Sequence, residues 1–160
     1  MHVMPQRVLI TGATGLVGQA LVSELQEQGY EVAALSRTAQ ERNGVTYYAW
    51  DLAAGTIDPA AMQGVDYIVH LAGAGVADER WSASRKKMIL ESRTRSTALL
   101  RQYIAEMDTP PKANIAASAI GLYGADQGDT LLHEDAPVAS DFLAAVTRDW
   151  EAEADKVAAL

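Results

Sequence analysis

The chain has 160 residues, 49% apolar and 21% charged, with 13 Lys and Arg against 21 Asp and Glu (net charge −8), and it has no cysteine. A chain of this length buries about 68–70% of its unfolded surface, enough for one domain with a real core, and its apolar share argues against disorder. The acidic balance disfavours nucleic acid or an anionic membrane as main partner, the missing cysteine excludes a disulfide framework, a thiolate metal site and a cysteine nucleophile, and neither a signal peptide nor a membrane span is visible; a cytoplasmic enzyme or binding domain is expected.

Arg7–Thr11 is a short apolar run closed by glycine, which predicts a strand buried on both faces. A helix follows from about Gly15 to Gln28, with Val17, Leu21 and Leu25 every four residues and Gly29 as a left-handed stop. Tyr30–Leu35, Val45–Trp50 and Asp66–Ala72 predict three further strands, and Asp58–Gly64 has room only for a short helical turn. A long helix begins at Ser82 or Ser84 and runs to Met107, where Asp108-Thr109-Pro110-Pro111 stops it. Ala113–Ser118 predicts a fifth strand, and Ser140 caps a last helix with Phe142, Val146 and Trp150 on one face. No repeat or linker interrupts the pattern. Strands alternating with helices predict an α/β fold with a doubly wound parallel sheet.

Thr11–Gly18 reads TGATGLVG, directly after the first strand and at the start of the first helix. Glycines at 12, 15 and 18 permit a tight turn, close approach of the backbone to a pyrophosphate, and close packing of helix on strand. The helix start presents unpaired N–H groups worth about 0.3–1 kcal/mol to an anion, up to about 2 when partly buried. Gly12, Thr14, Gly15, Leu16, Val17 and Gly18 are therefore candidate cofactor contacts. No Lys stands where a nucleoside-triphosphate loop needs one.

The Gly-x-x-Gly-x-x-Gly spacing after Thr11 resembles the extended short-chain dehydrogenase/reductase family. Leu71-Ala72-Gly73, Arg80-Trp81, Ser92-Arg93, Ser118 to Gly124 (SAIGLYG), and Phe142 with Trp150-Glu151 resemble an atypical subgroup, the NAD-dependent epimerase/dehydratase-like proteins, over essentially the whole chain. That resemblance implies a Rossmann-type sheet of about five strands in the order 3-2-1-4-5 with helices on both faces, binding NAD or NADP. Members are roughly twice as long, so residues 1–160 are expected to be an NAD(P)-binding Rossmann domain truncated before the substrate-binding lobe.

The second strand ends Leu35-Ser36-Arg37, beside the expected adenosine ribose. An NAD site usually places an acid there, whereas a 2′-phosphate calls for a cation and a small donor. Arg37 and Ser36 supply both, and the subgroup's Ser-Arg pair is associated with NADP; NADP is therefore expected over NAD, the alternative being an exposed loop arginine. Asp51 is either a partner for the adenine amino group, with Leu52 beside the ring, or a turn aspartate. Leu71, Ala72 and Gly73 are placed in the site by resemblance. His70 precedes them and reads as a core histidine.

Seven of the 13 basic residues lie between Arg80 and Arg101. Arg85, Lys86, Lys87 and Arg101 read as a solvated helix face, whereas Arg93 belongs by resemblance to a Ser-Arg pair facing the cofactor. The acidic surroundings and the lack of interleaved aromatics argue against nucleic acid.

Typical members of the resembled family use a Ser or Thr to orient the substrate hydroxyl, a Tyr to move its proton, and a Lys four residues on that lowers the Tyr pKa. None of the six tyrosines here has that Lys, and the last helix holds neither residue between Ser140 and Asp155. Ser118 and Tyr123 are the remaining catalytic candidates, near the ends of parallel strands where such folds bind ligands; Tyr123 is equally readable as a packing residue of its loop. His2 and His133 lack ligand spacing to any partner, so no metal is expected. The expected function is hydride transfer on a hydroxyl or carbonyl substrate of nucleotide-sugar type. A regulatory or redox-sensing dinucleotide module without turnover is the alternative, and a purely structural domain the third. The sheet edge beyond the fifth strand is expected to be bare or covered by a second copy.

Overall fold

The run Arg7–Thr11 forms β1, at the centre of the sheet, and its alternation sorts side chains between two layers. Val8 and Ile10 join a core cluster with Val22, Val32, Ala34, Val45, Tyr47 and Val69, covered by α1 (Leu16–Glu27). On the other face Leu9 packs with Ala33, Leu35, Ile68, Leu99, Leu100 and Ile104, under α2 (Ala83–Ala105). The computed structural model describes residues 5–160.

The other elements are β2 (Glu31–Ser36), β3 (Gln40–Arg42), β4 (Val45–Asp51), β5 (Thr56–Ile57), a 3-10 turn at Pro59–Met62, β6 (Tyr67–His70), β7 (Ala113–Ala116), a second 3-10 turn at Ile120–Tyr123, and α3 (Phe142–Asp155). The sheet order is β3-β4-β2-β1-β6-β7, with β5 paired to β4. The five long strands are parallel and stand in the expected order. Two short antiparallel strands were not predicted. The β3–β4 hairpin turns through Asn43-Gly44, both at positive φ (51° and 73°), the pair favoured where a two-residue turn needs left-handed backbone twice.

Several local expectations are corrected. Val17 is exposed; the buried face of α1 starts at Gly18 and Val22, because Gly18 seats against the Gly12–Ala13 backbone and rolls Val17 outward. The fourth strand ends at His70, since the Leu71 N–H is shared between the Thr11 carbonyl and hydroxyl and the Ala72 N–H goes to the hydroxyl alone, and the fifth ends at Ala116. Asp141, not Ser140, caps α3, its carboxylate accepting from the Ala144 N–H at 3.0 Å. Arg85 is not solvated. Only 7% of its side chain is exposed, and it pairs with Asp78 at 3.3 Å and Glu79 at 3.6 Å, pinning the segment after β6.

The last helix lies beside α2 rather than directly on the sheet. Trp150 packs beneath the Arg93 guanidinium, 5.2 Å from its ring centroid, and Phe142 meets the Trp81 ring edge-on at 5.3 Å with Lys86 near both rings. No α3 residue belongs to either cluster flanking the sheet. Among the described residues β7 pairs only with β6, and Ile115 on that edge strand is exposed.

Candidate functional site

Gly12 follows β1 at φ +73°, and a Cβ there would stand 2.9 Å from the Ala72 nitrogen and Leu71 carbonyl carbon. One at Gly18 would stand 2.2 Å from the Gly12 oxygen. Two crossing backbones are thus in contact at positions where any side chain would separate them. Gly15 is the N-cap of α1 and offers no side-chain cap, so the first-turn N–H groups face outward. Leu16 beside them is 91% exposed.

These turns open into a groove of about 490 Å³ lined by Gly12, Thr14, Gly15, Ser36, Arg37 and Leu71 to Gly73, together with Leu35, Thr38, Gln40 and Trp50. It lies at the C-terminal ends of β1, β2, β4 and β6, the edge where open α/β sheets hold ligands. Arg37 is exposed there and forms no ion pair with any described residue. The Ser36 hydroxyl is engaged in the next turn, donating to the Thr38 carbonyl. An uncapped helix start at one end and a guanidinium at the other suit an elongated anionic ligand. A larger opening of about 800 Å³ lies at the opposite ends of the strands, around Arg7, Glu31 and Lys112. Of the chain's glycines only Gly29 and Gly64 line it.

Other predicted residues fall outside the groove. The Asp51 carboxylate accepts from the Ala53 and Ala54 N–H groups at 2.8 and 3.0 Å, and these bonds hold its pKa below the usual carboxylate value. Both turn bonds fall on Oδ1, so the carboxylate holds this turn through one oxygen. Leu52 packs at the margin of the core under α2. Arg93 stops short of the groove: its guanidinium sits against Gly73 and over Trp150 and donates to the Ala74 and Ile89 carbonyls, both at 3.0 Å, while burial lowers its pKa. Ser92 accepts from the Ala74 N–H at 3.0 Å. The Ser-Arg pair therefore grips both polar groups of Ala74, just beyond the groove's rim.

Ser118 is exposed beyond β7 and donates its hydroxyl proton to the Glu151 carboxylate on α3. Tyr123 closes the 3-10 turn; its carbonyl accepts from the side chain of Gln127, the residue that stands four positions on, at 2.8 Å. Glu151 as partner of Ser118 and Trp50 as a wall of the groove were missed. Trp50 ends the third strand, the same signal that singled out its neighbours. Glu151 carries no local signal for a contact 33 positions away. Among the described residues no group of three or more His, Asp or Glu side chains is placed to hold a metal ion.

The sheet order, the glycine turn at the end of β1 and the helix starting above it define a Rossmann-type α/β domain of the short-chain dehydrogenase/reductase kind. The chain belongs to the NAD dependent epimerase/dehydratase family, whose model matches residues 8–144. It is 34% identical over 155 residues to the epimerase family protein YfhF of Bacillus subtilis, covering 96% of this chain and 50% of that protein. The nucleoside-diphosphate sugar epimerase from Corynebacterium glutamicum is similar with TM-score 0.76 and 39% identity, over 96% of this chain and 32% of that one. The human epimerase family protein SDR39U1 (isoform 2), crystallised with NADPH, is similar with TM-score 0.75 and 32% identity, over 93% and 48%. The chain thus spans half or less of the length of each of these three relatives.

Proposed function

We propose that the chain is the NADP(H)-binding domain of an epimerase/dehydratase-like oxidoreductase of the cytoplasm, acting at a hydroxyl- or carbonyl-bearing carbon of a substrate such as a nucleotide sugar. The observation that carries this is the groove itself, where Gly12 and Gly18 leave no room for a Cβ, the start of α1 is uncapped, and Arg37 stands exposed beside Ser36. In this assignment Gly12 to Gly18 hold the pyrophosphate and Arg37 the 2′-phosphate, with Trp50 as a wall near the adenosine. The bound dinucleotide supplies a hydride donor or acceptor. The NADPH complex of the human relative and the sugar-nucleotide activity named for the C. glutamicum relative support the same assignment.

Ser118 has the right chemistry to orient a substrate hydroxyl. Its own proton is committed to Glu151, so both oxygen lone pairs are left to accept. Tyr123 is the only phenol of that loop, and Gln127 rather than Lys stands four positions on. This favours a second function, a dinucleotide-binding regulatory or redox-sensing module without turnover. Anaerobic stopped-flow mixing with NADPH and a panel of ketones and sugar nucleotides separates the two: oxidation of NADPH by any panel member supports the enzyme, and bound but unoxidised NADPH throughout supports the module.

Cofactor preference is tested by titrating NADPH and NADH. One charge-assisted contact to the 2′-phosphate, about 1.5–3 kcal/mol, favours NADPH by roughly ten- to a hundredfold. Arg37→Ala should erase that preference; equal affinities in the wild type would refute it.

A further inference from the structure

His70 is 1% exposed, the last residue of β6, and it lies on the α2 face between Thr11 and Ser96. Its Nδ1 is 2.5 Å from the Thr11 hydroxyl and its Nε2 2.9 Å from the Ser96 hydroxyl. The Thr11 oxygen also accepts from the N–H groups of Leu71 and Ala72, each at 3.1 Å, which engages both of its lone pairs. Its proton therefore has one acceptor, His70 Nδ1. At the other end the Ser96 hydroxyl donates to the Arg93 carbonyl at 2.9 Å, so it accepts from His70 Nε2–H. The opposite tautomer would crowd a third donor onto Thr11 and strand the threonine proton in the core, where an unpaired polar hydrogen is costly.

We infer that His70 is a positioning residue of the groove: a one-way hydrogen-bond relay from Leu71 and Ala72 through Thr11, His70 and Ser96 to Arg93 ties the groove's floor to α2. The inference rests on the dinucleotide groove proposed above. Leu71 and Ala72 are the atoms that Gly12 abuts, and Gly12 carries the turn that shapes the pyrophosphate site. Trp50, which walls the groove, packs edge-on to the imidazole at 6.4 Å. Losing the imidazole frees the Thr11 hydroxyl to rotate; the Ala72 N–H then loses its acceptor, while the Leu71 N–H, shared with the Thr11 backbone carbonyl at 3.2 Å, keeps one. Nothing in this chain of contacts requires His70 to touch a ligand.

Three measurements on the 160-residue chain test this. Long-range proton–nitrogen spectra of the labelled wild type should show the neutral Nε2–H tautomer; an Nδ1–H tautomer or a charged ring at pH 7 overturns the relay. Amide exchange at Leu71 and Ala72, referenced to Leu9, and NADPH affinity by fluorescence are then compared among wild type, His70→Leu and His70→Asn, below each melting temperature. His70→Leu should speed exchange at Ala72 and weaken NADPH binding by about tenfold each, the worth of one net hydrogen bond, with a smaller change at Leu71, whose N–H keeps the Thr11 backbone carbonyl. His70→Asn, whose amide oxygen replaces Nδ1 as acceptor for Thr11, should recover most of both. A lower melting temperature with unchanged exchange and affinity would make His70 mere core packing and overturn the inference. If the wild type binds no NADPH, the proposed ligand is wrong, while exchange at Leu71 and Ala72 still decides what His70 does. The tautomer is read on the wild type, so a variant that fails to fold leaves a decisive result.

Discussion

Single atoms set the shape of the groove. A methyl group at Gly18 would meet the Gly12 oxygen at 2.2 Å, and both partners are backbone with no freedom to give way. Gly18→Ala should therefore cost about 1–3 kcal/mol of stability, the usual cost of overpacking, and reduce NADPH affinity as well. Urea unfolding and fluorescence titration read the two effects, and a stable variant with intact affinity would show that the crossing is looser than described. Burial of His70 has a second consequence, because it pulls the ring's pKa from 6.5 to about 4. The unfolded chain takes up a proton that the folded chain refuses, so stability falls as pH drops from about 6.5 towards about 4 and levels off below, a loss of roughly 3 kcal/mol. The slope should be missing from His70→Asn in urea melts at pH 7 and 4.5; identical slopes would contradict it. The glycines and Arg37 were legible in the sequence because their chemistry is local to one turn. Glu151 was not, because its partner Ser118 lies 33 positions away. The burial of Arg85 was not, because it depends on how the irregular segment holding Asp78 and Glu79 folds back on the helix start. Trp50 carried the strand-end signal of its neighbours without a polar group to single it out.

At the scale of elements, the parallel strands were readable as apolar runs because both faces of the sheet are covered. The β3–β4 hairpin carried its own signal in Asn43-Gly44 and was passed over only because its strand is three exposed residues long. The face of α1 was misjudged at Val17, where spacing alone does not reveal that Gly18 must approach β1. The seat of α3 was the least legible, because an amphipathic stripe says that a helix packs but not against what. Its anchor is Trp150, which is buried against Arg93 and thereby linked to the rim of the groove at Gly73. Trp150→Ala should destabilise the chain by about 3–5 kcal/mol in urea unfolding, as for other large aromatic truncations in a core. A loss below 1 kcal/mol would mean that α3 is held elsewhere.

For the whole molecule, 160 residues suffice for a packed Rossmann-type domain, yet they span half of the B. subtilis relative. The site is laid out in the same way. The elements that would hold a dinucleotide meet in one groove, whereas Ser118 and Tyr123 sit beyond β7 without the Tyr/Lys pair that activates substrates in typical members. The domain is thus better furnished for holding a cofactor than for turning over a substrate, and cofactor binding is the claim on which the rest depends. Adding NADP⁺ to the ¹⁵N-labelled chain tests it directly. Amide shifts should concentrate at Gly12 to Gly18, Ser36, Arg37 and Leu71 to Gly73. No shifts there, or shifts confined to the opposite opening around Arg7 and Lys112, would contradict it.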